Sequence, residues 1–570
     1  MHISGRFGTI LALLSVLALL MTIAAQCAAV PTPETVVQTV VVKETVMVAG
    51  TPEIREVVVT PTPEPQGKKV LRIANAEPTQ GTSPLTGGTC ASSKVWDLMH
   101  DPLWDRDENF EPVSWLAEKW DVSDDSKVWT FYLRDGLTFS DGSPITAEDV
   151  KASFEYLGTS ELYAGKIDLM ESIEVVDPLT VRFTMTRSVP DFLVMPGCIP
   201  QFSIFSKKAI DAGADWNKPE ELVYSGPYML KEYVPKSHLV MVKNPHYWME
   251  GYPKFDEIYW SFTEDATAGV AAVESGAADY YDPVPAKDVP RLKLMSTVSV
   301  YEAAAPNYIG FGFLRTDPLF SDSHVRRAIA MILEPAERTE VCWFGTGSSL
   351  YGGFVYEWQT AYFDGFEPYN TPREERVAEA KKLLDEAGWV EGPGGVRVSS
   401  GVEGLPDGTP FEVNVPYEAN WPAAECHTQL LQNWGKEVGL SLQPERYDPG
   451  NFWNDAIDGK HKMWHAGIPA STYTPDSLYQ CFHTNGSWQP YWFHGSDPEL
   501  DAMLDAMIVE TDVAKQKAAI SEINKKLYEE AYVVSDGSQN TLVLTTAKLK
   551  GFFGRPDDSN RAIILSDLAE

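Results

Sequence analysis

Apolar positions along this chain follow two periods, and the switch between them marks where strands give way to helices. Val128-Trp129-Thr130-Phe131-Tyr132-Leu133 is almost wholly β-branched or aromatic, the composition of a strand largely buried on both faces. Arg134-Asp135-Gly136 turns the chain and Leu137-Thr138-Phe139 resumes it. Ser140-Asp141-Gly142-Ser143-Pro144 turns it again, since Gly accepts positive φ while Asp and Ser bond nearby backbone. Thr146 then predicts a helix start. Asp149, three residues on, completes a capping box, and Val150, Phe154 and Leu157 share one face.

The same reasoning extends along the rest of the chain. Val70 to Ala74 reads as a strand and Ser92 to His100 as a helix. Glu171 to Phe183 reads as two strands about an Asp-Pro turn, and Phe255 to Trp260 as another strand. Val325, Ile329 and Ile332 predict a helix capped by Ser321 or Ser323. Val377, Ala380, Leu383 and Leu384 predict one stopped by Gly388. Glu391 to Pro410 reads as a surface hairpin or loop. Phe411–Tyr417, a helix over Ala423–Val438 and Leu440–Leu442 form a βαβ unit, hence a parallel pair. Asp501 to Ala531 is a long helical region, and Leu542–Phe553 with Arg561–Leu565 supply closing strands.

The N-terminus has a different character. Arg6, an apolar run from Ile10 to Ile23 and small residues after it form an export signal over residues 1–26. Cys27 resembles the lipid-modified cysteine of a bacterial lipoprotein, although Gln26 departs from the small residue usual before it, which leaves cleavage and release open. Residues 27–67 carry Thr-Pro-Glu three times among valine strings and read as a flexible tether, with a reach on the order of 100 Å if fully extended.

Composition narrows the function classes. The 570 residues exceed one core and predict about two to four domains. A formal charge of −35 repels nucleic acid and anionic headgroups, which argues against nucleic-acid binding. Six cysteines without CxxC spacing indicate neither a disulfide scaffold nor a zinc ribbon, and their pairing is not legible. Walker A, dinucleotide and GxSxG motifs are lacking, and Gly345-Thr346-Gly347-Ser348-Ser349 lacks the Lys-Ser/Thr ending of a phosphate loop. His461 and His465 have metalloprotease spacing, but Lys462 stands where the general-base Glu belongs. Cys426-His427 and Cys481-Phe482-His483 provide further metal-type residues, for which buried thiols or a disulfide are the favoured reading. No cofactor, metal or catalytic residue is assigned.

LRDGLTFSDGSPITAEDVKASFE, Leu133 to Glu155, resembles the signature of the bacterial family 5 solute-binding proteins, receptors of peptide, nickel and oligosaccharide ABC importers. The resemblance continues through Trp115–Val122, Ser225-Gly226-Pro227-Tyr228, Asn244-Pro245-His246-Tyr247-Trp248, Gly276–Tyr280 and Arg326-Arg327-Ala328-Ile329-Ala330. It implies an α/β fold of two lobes, of the periplasmic-binding-protein type that closes about a hinge, with a sub-domain inserted in the first lobe. The expected division is 68–106 for the first part of lobe I, 107–222 for the inserted sub-domain and 223–315 for the second part. Lobe II then spans 316–530, and 531–570 closes lobe I.

The resemblance also implies function: an extracytoplasmic, non-enzymatic, monomeric receptor, held at the membrane by a lipid anchor, that hands its solute to an ABC permease. In peptide-binding members a strand ends in a Trp followed three residues on by an Asp that salt-bridges the peptide's amino group. Here Ile468 stands at the Trp position and Ser471 at the Asp position, and a hydroxyl cannot replace that charge. Asp476 lies nearby in a string better suited to a helix start. Trp358, Tyr417, Trp421, Trp464 and Tyr473 are candidates to stack on a ligand. Oligopeptide is the favoured ligand, oligosaccharide the alternative within the family, and a secreted hydrolase the alternative of another class.

Overall fold

The computed structural model describes residues 40–48, 51–59, 67–78, 83–85, 90–107, 112–160, 163, 167–190, 192–193, 202–303, 307–349, 371–419, 421–469, 475–486, 489, 493–554 and 560–569. Two units result, residues 1–67 and 68–570. In the first, β1 (Val40–Val48) pairs antiparallel with β2 (Thr51–Val59), Val40 opposite Val59 and Val48 opposite Thr51. The expected extended tether is corrected over this stretch: the two valine strings pair with each other, as β-branched residues favour.

The second unit begins with β3 (Val70–Asn75) and α1 (Cys90–Met99). β4 (Ala117–Val122), β5 (Val128–Leu133), α2 (Ala147–Leu157), β6 (Met170–Asp177) and β7 (Thr180–Met185) follow. Then come β8 (Tyr228–Val234), β9 (His238–Lys243), β10 (Glu257–Phe262), β11 (Tyr280–Tyr281) and β12 (Val298–Ala303). β13 (Asn307–Leu314), α3 (Ser323–Ile332), α4 (Pro335–Trp343), β14 (Ser348–Ser349) and α5 (Arg373–Glu386) open the next region. It continues with β15 (Glu412–Glu418), α6 (Pro422–Glu437), β16 (Ser441–Tyr447), α7 (Pro449–Ile457), β17 (Met463–Pro469) and β18 (Phe493–His494). α8 (Pro498–Ile508), α9 (Val513–Glu529), β19 (Val534–Ser538) and β20 (Thr541–Thr546) complete the walk.

Three sheets organise this unit. Lobe I holds seven strands in the order β8-β9-β10-β3-β11-β20-β12. Lobe II is built on β14-β19-β13-β17, with β18 also paired to β13, and the inserted sheet is β4-β5-β7-β6. β12 and β20 pair antiparallel down to Ala303 opposite Thr541, while β13 and β19 pair antiparallel from Ile309 opposite Gly537. The same two chain passages thus run side by side through both sheets, and they form the crossing between lobes. Asn540 Nδ2 donates to Glu302 Oε2 at 3.4 Å there. Gly310 permits the closest approach: a Cβ on it would lie 1.9 Å from the Val534 carbonyl oxygen.

Several expected boundaries shift. β13 and β19 belong to the lobe II sheet, so residues 307–315 and 531–538 move from lobe I to lobe II. The reason is visible in Arg326 of α3, buried and donating to the carbonyls of Phe320, Ser321, Glu530 and Ala531, which binds the end of α9 into this lobe. The 501–531 region is two helices, and Asp322, not Ser321 or Ser323, caps α3 through a bond from His324 N. β5 alternates: Trp129, Phe131 and Leu133 are buried while Val128, Thr130 and Tyr132 are half-exposed, because only one face of the inserted sheet packs on a core. The parallel pair appears as expected, Glu412 opposite Ser441 through Glu418 opposite Tyr447.

The signature segment acts as scaffold. The Asp149 carboxylate accepts from the Thr146 backbone N–H at 2.9 Å and, through its other oxygen, from Lys207 N at 2.9 Å. The inserted sheet shares one core with lobe I, through Trp104, Phe131, Phe154, Phe183 and Phe192 among others. The expected strand over Arg561–Leu565 is instead a 3-10 turn, Asn560–Ile563. Residues 560–564 are all buried, so an alternating strand is the wrong fit. Arg561 donates to Asp105 Oδ2 at 2.8 Å, Asp101 Oδ1 at 3.0 Å and the Asp97 carbonyl at 3.2 Å, and lies over the Trp115 ring.

Two outcomes follow from these buried groups. Arg561→Ala leaves Asp101 and Asp105 buried without their cation and should cost about 3–5 kcal/mol in denaturant unfolding. His100, buried against Phe205, Trp216 and Tyr224, has its pKa pushed down to about 3 by desolvation. The unfolded chain therefore takes up a proton below the ordinary value of 6.5 that the folded chain refuses. Stability should fall as pH drops from that value toward 3, by up to about 1.4 kcal/mol per pH unit, and His100→Phe should remove this slope.

Candidate functional site

β15 alternates toward the lobe II core. Phe411, Val413 and Val415 are buried, and Tyr417 continues that face at 5% exposure. Beyond Glu418 the chain turns: Ala419 N donates to the Tyr447 carbonyl and Trp421 N to the Glu418 carbonyl at 3.1 Å. Trp421 is the N-cap of α6, with Pro422 at the first helical position, where its missing N–H costs nothing.

The Trp421 ring lies on the backbone of Gly467 in β17. A Cβ on Gly467 would sit 2.3 Å from the ring, so only glycine allows the seat. Trp421 follows the carboxyl end of β15, and Gly467 lies near the carboxyl end of β17, so both strands end on one edge of lobe II. The last residues of β17 pair with the first of β13, Pro469 opposite Asn307 and Ile468 opposite Tyr308. β13 has just arrived from lobe I, so this edge faces the crossing.

Behind the seat is a packed aromatic layer. Trp421 meets His465 edge-on at 4.9 Å, and His465 Nε2 lies 3.2 Å from His427 Nδ1, both rings buried against Phe311. A Cys342–Cys426 disulfide ties α4 to α6, and Trp421 packs against the Ile309, Cys342 and Trp343 cluster it joins. The covalent tie and the aromatic layer hold the Trp421 ring from below, leaving it half-exposed at the edge.

The remaining sequence candidates separate. Trp464 is wholly buried, in a core with Leu500, Leu504 and Met507, so a stacking role for it is corrected. β17 is covered on both faces, Met463 belonging to one core and Trp464 to the other. Ile468 is the next-to-last residue of β17, while Trp358, Ser471, Tyr473 and Cys27 lie outside the described residues. Asp476 sits in the first turn of a helix, Pro475–Phe482, and reaches Arg187 beyond β7 at 3.9 Å, a contact between the inserted unit and lobe II.

Among the described residues no three metal-type side chains come together as a ligand set. His465 is in a strand, where the extended chain carries residues four apart about 13 Å from each other instead of one helical turn, and His461 packs on Tyr447 and Phe452. Cys426 is in the disulfide, and Cys481 is a buried thiol whose pKa burial pushes well up. Gly467 and Glu418 were missed from sequence, and His427 and His465 were read there only as metal-type residues. Only Gly467 carried a signal, since a glycine inside an apolar strand marks close backbone approach.

Residues 111–490 match the model of the bacterial extracellular solute-binding proteins, family 5. The chain belongs to this family. It is 24% identical over 493 residues to the glutathione-binding protein GsiB of Salmonella typhimurium, covering 83% of this chain and 90% of that one. It is 27% identical over 448 residues to the dipeptide-binding protein of Escherichia coli, covering 73% and 78%. It shares the fold of the oligopeptide-binding protein AppA of Bacillus subtilis, solved with a nonapeptide, at a TM-score of 0.68 and 20% identity, over 88% of this chain and all of that one. This family 5 protein is therefore a two-lobed solute-binding protein, and the long signature read from Leu133 to Glu155 is scaffold in it.

Gly467→Ala should push the Trp421 ring off its seat and cost about 1–3 kcal/mol in urea unfolding. In a Trp421→Ala background the same change should cost less by at least about 0.5 kcal/mol, and equal costs would mean the two do not touch.

Proposed function

We propose that this solute-binding protein is the receptor of an ABC importer for oligopeptides, with the ligand enclosed between the lobes by hinge closure and presented to a membrane permease. The observation that carries the reading is the lobe II edge facing the crossing, where the Trp421 platform stands at the ends of β15 and β17. A flat aromatic surface beside strand ends suits an extended peptide, whose backbone and apolar side chains both find partners there. The relatives named for glutathione, dipeptides and a bound nonapeptide support the same class.

Closure about the crossing requires that ligand touch both lobes in one state and one lobe in the other, so binding shifts the population by its differential affinity. The protein works as a monomer outside the cytoplasm, anchored by lipid at Cys27, and leaves its solute chemically unchanged.

A bound peptide should raise the melting temperature, with about 2.7 kcal/mol of added stability at a hundredfold excess over Kd. It should also shrink the radius of gyration in small-angle scattering and change tryptophan emission through Trp421. Peptide binding without compaction would remove the hinge mechanism, and turnover of any peptide would overturn the receptor reading.

A further inference from the structure

We propose that Glu418 anchors a cationic group of the solute, an ammonium or guanidinium, at the lobe II edge beside Trp421. This rests on the solute-receptor reading and specifies the chemistry of its site. Glu418 is the last residue of β15, and three residues later Trp421 begins α6. The carboxylate thus belongs to the same strand-end edge that faces the crossing between lobes.

Its surroundings among the described residues leave it without a counter-charge. On the strand face that carries it, Glu412 and Asn414 are exposed, whereas Glu418 is half-buried, with the Trp453 indole of α7 as a hydrogen-bond donor. Among the described residues no Lys, Arg or His forms an ion pair with it. Glu334, Asp455 and Asp497, partly buried acids of the same lobe, hold Arg373 or Arg376, Lys460 and Lys526 respectively. The carboxylate therefore bears the cost of desolvation without a counter-charge.

Electrostatics agree with the geometry. Burial raises the Glu418 pKa, and only the Trp453 hydrogen bond opposes it. Asp101 is also raised by burial, but Arg561 lies against it. A cation brought by the solute would supply for Glu418 what Arg561 supplies for Asp101. The half-exposed Trp421 ring adds a second attraction, since a cation is drawn to an indole face.

The test uses the full chain as wild type, Glu418→Gln and Glu418→Asp, with melting temperature confirming that each folds. Probes are random tri- to pentapeptide pools without Lys, Arg or His, with free or acetylated amino termini, together with spermidine and maltotriose. Binding is read by native mass spectrometry and calorimetry. The expected result is capture of amine-bearing probes by wild type, about tenfold or more weaker with Glu418→Gln and intermediate with Glu418→Asp. Equal binding of amine-bearing probes by wild type and Glu418→Gln overturns the proposal, and so does capture of neutral probes alone. Peptides held regardless of residue 418 would leave the peptide reading standing while removing this inference. Spermidine held only through Glu418, with no peptide bound, would do the reverse. No binding of any probe by wild type overturns both.

Discussion

The pairing of two chain passages through both sheets is the constraint on which the rest of this structure depends. β12 and β13 go out, β19 and β20 come back, and each lobe's sheet contains both. A backbone ladder resists stretching but bends where the strands leave one sheet for the next. The lobes are thereby joined by two neighbouring chain passages. The close passage at Gly310 and the Asn540–Glu302 bond lie along this ribbon, so its geometry follows from side-chain size as much as from backbone pairing.

The lobe II edge that carries Trp421 is arranged relative to that ribbon. β17 joins β13 along its length, which sets the carboxyl ends of β15 and β17 toward lobe I. Trp421 is held there from three directions: the glycine beneath it, the imidazole layer of His465 and His427, and the disulfide between α4 and α6. An aromatic surface held this way loses little freedom on meeting a ligand, which is the physical value of preorganisation.

Charge is used in two ways. Arg561 and Arg326 are buried, and each is surrounded by oxygen acceptors that bind a late chain segment to an early element. Such groups close the fold at its C-terminal returns, where apolar contact alone does not select one partner segment. At the lobe II edge the pattern reverses, with a half-buried carboxylate and no cation paired to it among the described residues. The buried charges with their acceptors hold the architecture together, and the Glu418 carboxylate has the Trp453 hydrogen bond in place of a cation.

Much of this was legible in the residues alone. The turn, cap and helix around Thr146, the βαβ unit of β15 and β16, and the family signature all depend on local spacing, and local spacing survives folding. What failed was decided between distant segments. The same sequence pattern is compatible with a strand or a turn at Arg561, and the three acceptors from Asp97, Asp101 and Asp105 select the turn. Trp464 and Trp421 look alike as cleft aromatics, but a central strand buries the first on both sides, while a helix start leaves the second at an edge. The sequence by itself therefore determined the family, the lobed α/β class and most elements. Which side chains meet at the lobe II edge was left to tertiary structure, because burial and charge pairing there join residues that are far apart in the chain.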